Sequence, residues 1–171
     1  MNLILCGMMG AGKSTVGCKL AELTRMRPCD TDGVIVERYG KISDIFERQG
    51  EAHFRKIETE VVKELAGQDG LVISTGGGLV LKRENTDLLK TNGKIVFLRA
   101  TLETLAQRLQ ADGTRPLLQT GKESLQDRLK RLLQERMPGY ESASDFVVDV
   151  DGKTPEGIAK EIIAITGFAE E

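Results

Sequence analysis

Apolar residues follow two alternating rhythms along this chain. NLILC, near the start, is a short continuous apolar run that ends in glycines, and from Ser14 onward Val16, Leu20, Ala21 and Leu23 recur at helical spacing. The predicted order is strand, glycine loop, helix. Apolar runs at Leu71–Ser74, Lys94–Leu98 and Phe146–Val150, with a weaker one at Pro28–Asp30, repeat the theme, each followed by a helical stretch. Strands alternating with helices predict an α/β protein with a parallel sheet.

The helical stretches carry recognisable faces. Glu51–Ala66 places Phe54, Ile57, Val61 and Leu65 on one stripe, with Arg55 and Glu58 three residues apart beside it. A helix from about Ser124 to Arg136 turns Leu125, Leu129 and Leu132 inward and is predicted to stop at Met137-Pro138-Gly139. The last, Pro155–Ile165, has proline in its first turn and turns Ile158, Ile162 and Ile165 inward. The stretch Ala111–Gly121 is polar and glycine-rich at its ends, which predicts a mobile loop between two helices. No internal repeat or linker interrupts the 171 residues, a length that suits one domain.

Composition narrows the partners. Lys+Arg 24 against Asp+Glu 26 leaves a net charge of −2, so no global positive field attracts a nucleic acid or an anionic membrane, and an anionic ligand has to be caught locally. Cys6, Cys18 and Cys29 match no zinc or redox spacing, which fits a reducing cytosol. The only histidine, His53, removes His-rich metal sites and most His-based triads; it reads as an ordinary polar residue on a helix. The start MNLILCGMM lacks a basic leader region and no apolar run approaches membrane length, so the expectation is a soluble, cytoplasmic protein.

Gly7-Met8-Met9-Gly10-Ala11-Gly12-Lys13-Ser14 fits the pattern G-x-x-x-x-G-K-[ST] between a strand and a helix. In such a loop backbone N–H groups wrap phosphates, the helix adds its positive end, the lysine reaches the β/γ-phosphates and the hydroxyl meets Mg²⁺. Lys13 and Ser14 take those parts here. The acceptor of the phosphoryl group is a separate question. The chain has no Asn-Lys-x-Asp guanine-reading motif, and Leu71–Ser74 runs into Thr75 and three glycines where many ATPases carry a metal-binding aspartate; both facts argue against a GTPase and a mechanochemical ATPase.

Asp30-Thr31-Asp32 lies at the end of the second strand candidate, where strand ends of α/β sheets face the ligand crevice. Its two carboxylates would share one side of an extended segment and divide metal and acceptor duties; a polar turn with Asp32 as helix cap is the alternative. Gly76-Gly77-Gly78 either lets a ligand touch backbone or makes a sharp turn. Arg55 by itself fits a surface ion pair, Arg136 a helix-end dipole contact, and Arg128, Lys130 and Arg131 a solvated face.

Taken together and in order, GMMGAGKST, DTD, GEAHFR (Gly50–Arg55), TGGG (Thr75–Gly78), RPLL (Arg115–Leu118) and RMPGY (Arg136–Tyr140) resemble shikimate kinase over nearly the whole chain. The resemblance implies a nucleoside-monophosphate-kinase-like, three-layer αβα fold around a five-stranded parallel sheet, with a shikimate-binding segment at about 34–65 and a lid at about 111–121. It implies transfer of the ATP γ-phosphate to the 3-hydroxyl of shikimate, on the route to chorismate. By motif position, Asp32, Arg55, Arg136 and the glycines Gly76, Gly77 and Gly78 would bind shikimate, with Lys13, Asp32 and Arg115 catalytic. Gly10, Ala11, Gly12, Lys13, Ser14 and Thr15 would cradle ATP, Ser14 and Asp30 would hold Mg²⁺, and Arg115 in the lid would contact ATP. Arg108 and Pro155 look like the pair flanking the adenine, with Lys153 nearby. The implied partners are ATP and shikimate, and the implied unit is a monomer.

The chemistry of the acceptor agrees with this reading: a small carboxylate with three hydroxyls needs a planar cationic fork at one end, which Arg55 and Arg136 can supply. Glu58, one turn from Arg55, could orient that guanidinium. A kinase for gluconate or a nucleoside monophosphate is the alternative within enzymes. A binding module that kept the loop but lost turnover is the alternative outside them.

Overall fold

The computed structural model describes residues 1–111 and 123–168, so nearly all of the loop predicted at Ala111–Gly121, Arg115 included, lies outside the described residues. Five strands, β1 (Asn2–Cys6), β2 (Arg27–Asp30), β3 (Leu71–Ser74), β4 (Gly93–Arg99) and β5 (Phe146–Asp149), form one sheet in the order β2-β3-β1-β4-β5. All four pairings are parallel, as in Ile4↔Ile73 and Ile4↔Ile95 on either side of β1. Parallel strands covered on both faces should be uninterrupted apolar runs. β1 obeys: Leu3, Ile4 and Leu5 are fully buried, each contributing about 2 kcal/mol of apolar transfer. β2, the edge strand, is partly exposed and tolerates Pro28, whose missing N–H costs nothing on an open side.

Eight α-helices occur among the described residues: α1 (Lys13–Thr24), α2 (Thr31–Tyr39), α3 (Ile42–Gln49), α4 (Glu51–Ala66), α5 (Arg83–Lys90), α6 (Leu102–Ala111), α7 (Leu125–Ala143) and α8 (Pro155–Thr166). α1 and α8 pack on each other, while α4, α5 and α7 gather around a short 3₁₀ turn, Leu79–Leu81; with the sheet these make three layers. None of these helices is long and apolar enough to cross a membrane. Because β1 has β3 on one side and β4 on the other, the chain order reverses there, and the loops after β1 and β3 border the crevice such a reversal opens.

Three local expectations change. α7 does not end at Met137; it continues through Pro138 to Ala143. A proline inside a helix costs about 3 kcal/mol by removing a hydrogen bond and crowding the preceding turn. Tyr140, fully buried, and Ala143 lie beyond it, and burying a large side chain returns a comparable amount, so packing outweighs the local preference. Arg136 is thereby an interior residue of α7 and not a helix-end residue. Secondly, α8 buries Ile158, Ala159, Ile162 and Ile163, whereas Ile165 is 40% exposed. Thirdly, Asp30 and Asp32 do not share an extended segment. Asp30 ends β2 and caps α2, accepting from the backbone N–H groups of Asp32 and Gly33, while Asp32 sits in the first helical turn.

Candidate active site

At the C-terminal end of β1 the chain wraps into the glycine loop and enters α1 through Gly12, whose φ of 91° lies in the left-handed region that favours glycine. Ala11 N–H returns to Met8 O, closing the loop. Lys13 Nζ donates to the carbonyls of Gly7 (2.6 Å) and Met8 (3.0 Å), which parks the ammonium over the loop it serves. Ser74, at the end of β3, donates to Lys13 O and ties the first turn of α1 to the neighbouring strand. Ser14 Oγ donates to Asp30 Oδ2 at 2.6 Å, so the loop hydroxyl and the carboxylate ending β2 meet beside the glycine loop. Two hard oxygen donors in contact suit Mg²⁺, which keeps several waters and needs few protein ligands. No cluster of three or more His, Cys, Asp or Glu side chains able to hold a metal occurs among the described residues.

The loop forms one end of a crevice of about 1100 Å³. Arg108 and Leu109 of α6 and Lys153, Pro155 and Ile158 before and within α8 line it at the loop side, and Arg108 Nη1 donates to Gly10 O at 3.1 Å. Asp151 joins these two elements: its Oδ1 accepts from the backbone N–H and hydroxyl of Thr101 and from the hydroxyl of Thr104, capping α6 from the segment that leads into α8. These hydrogen bonds hold its carboxyl below the usual range.

The other end of the crevice is lined by Asp32, Arg55, Glu58, Gly76, Gly77, Gly78 and Arg136. The three glycines follow β3, and each is small because a charged side chain stands against it. A Cβ on Gly76 would lie 2.6 Å from Asp32 Oδ1, one on Gly77 2.9 Å from Arg136 Nη1, and one on Gly78 2.6 Å from Arg55 Nη1. Thr31 Oγ1 accepts from Gly76 N–H and locks the first of them to α2. An acid therefore stands at one edge of the triplet and two guanidinium groups at the other.

Arg55 is not free to wander. Its Nη1 donates to Glu58 Oε1 at 2.6 Å, its Nη2 to Glu51 Oε1 at 3.3 Å, and its guanidinium lies 5.3 Å from the centre of the Phe54 ring. Glu58 is only 1% exposed, and its second oxygen, Oε2, has no hydrogen-bond partner among the described residues. Burial raises its carboxyl above the ordinary value, against the opposing pull of Arg55. A buried acceptor left open is costly unless something donates to it, so this oxygen is available to a polar ligand.

Most residues singled out from the chain thus meet in one crevice: Gly10 to Thr15, Asp30, Asp32, Arg55, Gly76 to Gly78, Arg108, Arg136, Lys153 and Pro155 all line it. Arg115 lies outside the described residues. Arg128, read from the chain as part of a solvated face, lines the crevice, as do Leu132 of α7 and the apolar wall of Ile42, Phe46 and Phe54. The signal for Arg128 was present: Arg128, Leu132, Arg136 and Tyr140 recur every four residues and share a face of α7. The apolar wall carries no chemical signature.

The family model of shikimate kinase matches residues 9–166. This chain belongs to the shikimate kinase family. It is 44% identical over 168 residues to a shikimate kinase of Caldicellulosiruptor bescii, covering 96% of this chain and 94% of that one, and 45% identical over 163 residues to one of Thermodesulfovibrio yellowstonii, covering 95% and 92%. A solved shikimate kinase of Acinetobacter baumannii in complex with shikimate superimposes with a TM-score of 0.89 at 37% identity, covering 96% of this chain and 92% of that one. The sheet order and flanking helices are those of the P-loop kinases. The enzyme is a shikimate kinase in activity as well as fold: it transfers phosphate from ATP to a hydroxyl of shikimate.

Proposed function

We propose that the two ends of the crevice divide this reaction between them, ATP lying along the glycine loop and shikimate against the glycine triplet, with the 3-hydroxyl as acceptor. The observation that carries the reading is the split of charge across Gly76–Gly78, acid on one edge and paired guanidinium groups on the other. A ring bearing a carboxylate and hydroxyls complements it: Arg55 and Arg136 take the carboxylate, leaving the reacting hydroxyl at Asp32. Asp32 orients that hydroxyl for in-line attack and accepts its proton late in a loose transition state. Lys13 leaves the carbonyls of Gly7 and Met8 to stabilise the phosphates as charge shifts during transfer. Arg108 and Pro155 flank the base, and Lys153 stands at its edge.

Ser14 and Asp30 would hold Mg²⁺, which when bound supplies charge neutralisation on the phosphate oxygens. Arg115 and the segment expected as a lid at about 111–121 fall almost wholly outside the described residues, and segment 34–65 contributes Arg55 to the acceptor site of the single domain. The unit acts as a monomer in the cytoplasm. A coupled assay of ADP release with shikimate, gluconate or a nucleoside monophosphate as acceptor tests the assignment. Release dependent on shikimate alone is expected. Equal release with gluconate would sink the carboxylate-and-triplet reading, because gluconate is a flexible open chain.

A further inference from the structure

Tyr140 stands where both guanidinium chemistry and backbone chemistry of the acceptor site converge, yet it does not line the crevice. Its ring is fully buried, with its centre 5.1 Å from that of Phe97, and its hydroxyl donates to Gly77 O at 2.5 Å. A phenol has one proton to give. With that proton committed to Gly77, the hydroxyl offers only lone pairs to its other neighbours, and the Arg136 guanidinium, one turn earlier on α7, stands against the same glycine: a Cβ on Gly77 would lie 2.9 Å from Arg136 Nη1 and 3.8 Å from the Tyr140 hydroxyl. Met8 Sδ of the glycine loop lies 3.8 Å away on another side.

The bond to Gly77 fixes a peptide plane. In a trans peptide the C=O of one residue and the N–H of the next point in opposite directions, so holding Gly77 O against the buried phenol turns the Gly78 N–H the other way. Two consecutive glycines would otherwise let that plane rotate at little cost. No hydrogen bond to a described residue engages the Gly77 or Gly78 N–H, and both residues line the crevice.

We propose that the Tyr140 hydroxyl is a positioning residue for shikimate: one buried O–H orients the Gly78 N–H through Gly77 O and the Arg136 guanidinium through its lone pairs, aligning two donors for the acceptor's carboxylate. The inference rests on the reading of Arg136 as a carboxylate ligand and adds the device that aims it. Burial, which pushes the phenol pKa up to about 12, keeps the group protonated and donating throughout the working pH range.

Tyr140→Phe, Arg136→Ala and the double variant test it, with kcat, the KM for shikimate and the KM for ATP measured for each beside a thermal melt. Tyr140→Phe is expected to raise the shikimate KM about tenfold, the scale of one lost hydrogen bond to a charged group, with the ATP KM within about twofold of the parent. In the Arg136→Ala background the same change should add much less, because most of what it aims is gone. An unchanged shikimate KM in Tyr140→Phe, beside a large rise in Arg136→Ala, overturns the proposal while leaving the carboxylate reading intact. Fully additive effects, or a parallel rise in the ATP KM, overturn it as well, since either marks a general packing role. An unchanged shikimate KM in Arg136→Ala overturns the carboxylate reading and this inference together. Should Tyr140→Phe not fold, fluorine NMR of the unmutated chain carrying 3-fluorotyrosine replaces it. Tyr39 is exposed and Tyr140 buried, so their signals are separable, and a buried signal that does not move on saturation with shikimate overturns the inference.

Discussion

On the side proposed for the nucleotide one continuous stretch, Gly7–Thr15, forms the glycine loop, and the groups it would offer are mostly backbone. On the side proposed for the acceptor Asp32, Arg55, Gly76–Gly78 and Arg136 come from α2, α4, the turn after β3 and α7, and the groups offered there are mostly side chains. A cradle of N–H groups depends on the path of the chain and is indifferent to side chains such as Met9. A pocket of charged side chains depends on each being held from behind, by Glu58 under Arg55 and by Thr31 under Gly76. Damage on the first side should appear in turnover and ATP affinity, and damage on the second in the affinity for shikimate. The residues at the boundary, Lys13 and Asp32, should affect turnover itself.

The largest effect is expected at that boundary. Lys13→Ala should lower kcat by ~10²-fold or more, on the scale of one lost electrostatic stabiliser, in steady-state ADP release. A folded variant with near-normal kcat would remove the loop from the chemistry. Asp32→Asn should lower kcat by ~10²-fold while ATP binding by calorimetry stays near the parent value, because Asp30 and Ser14 are untouched. If ATP binding is lost instead, Asp30 and Asp32 have exchanged roles.

Gly78→Ala sharpens the comparison on the acceptor side. Its methyl would meet the Arg55 guanidinium at 2.6 Å, so the shikimate KM should rise about tenfold or more with the ATP KM little changed. Arg136→Lys should behave alike, since an ammonium offers no bidentate fork. Normal shikimate binding by Arg136→Lys in calorimetry would refute the fork.

Smaller effects come from the supporting residues. Glu58 has a raised pKa, so on acidification it protonates before carboxylates at their ordinary value and loosens its hold on Arg55. The shikimate KM should therefore climb severalfold as pH falls toward the carboxylate range, and the part due to Glu58 should vanish in Glu58→Gln, whose KM is already raised at neutral pH. An identical pH profile in both proteins would exclude Glu58 as the titrating support. Asp151→Asn should give the smallest change, a rise of about threefold in the ATP KM alone, by slackening the link between α6 and the segment before α8. A matching rise for shikimate would show that the two ends of the crevice are not separable.

The unequal construction explains what was readable in advance. The glycine loop is local, so its strand, turn and helix lie in sequence order and its chemistry is visible as a spacing. Arg55 and Arg136 were recognisable through the resemblance, but taken alone each reads as an ordinary surface cation, because nothing in the chain says that both stand against one glycine triplet. The expected helix end at Met137-Pro138-Gly139 failed for the same reason: local preference is worth a few kcal/mol, and the burial of Tyr140 beyond the proline is worth as much.

By itself the sequence determined the alternation of strands and helices, the position of the phosphate cradle and the residue types available for a small anionic acceptor, since each of these depends on neighbours within a few positions. Tertiary structure alone decided that Asp30 caps α2 while Asp32 stands against Gly76, that Glu58 is buried with an oxygen open among the described residues, that Arg128 faces the crevice, and that Tyr140 reaches Gly77. These outcomes depend on which face of α2, α4 or α7 meets the sheet. That is settled by packing among distant segments, whose combined burial outweighs the preference of any one of them.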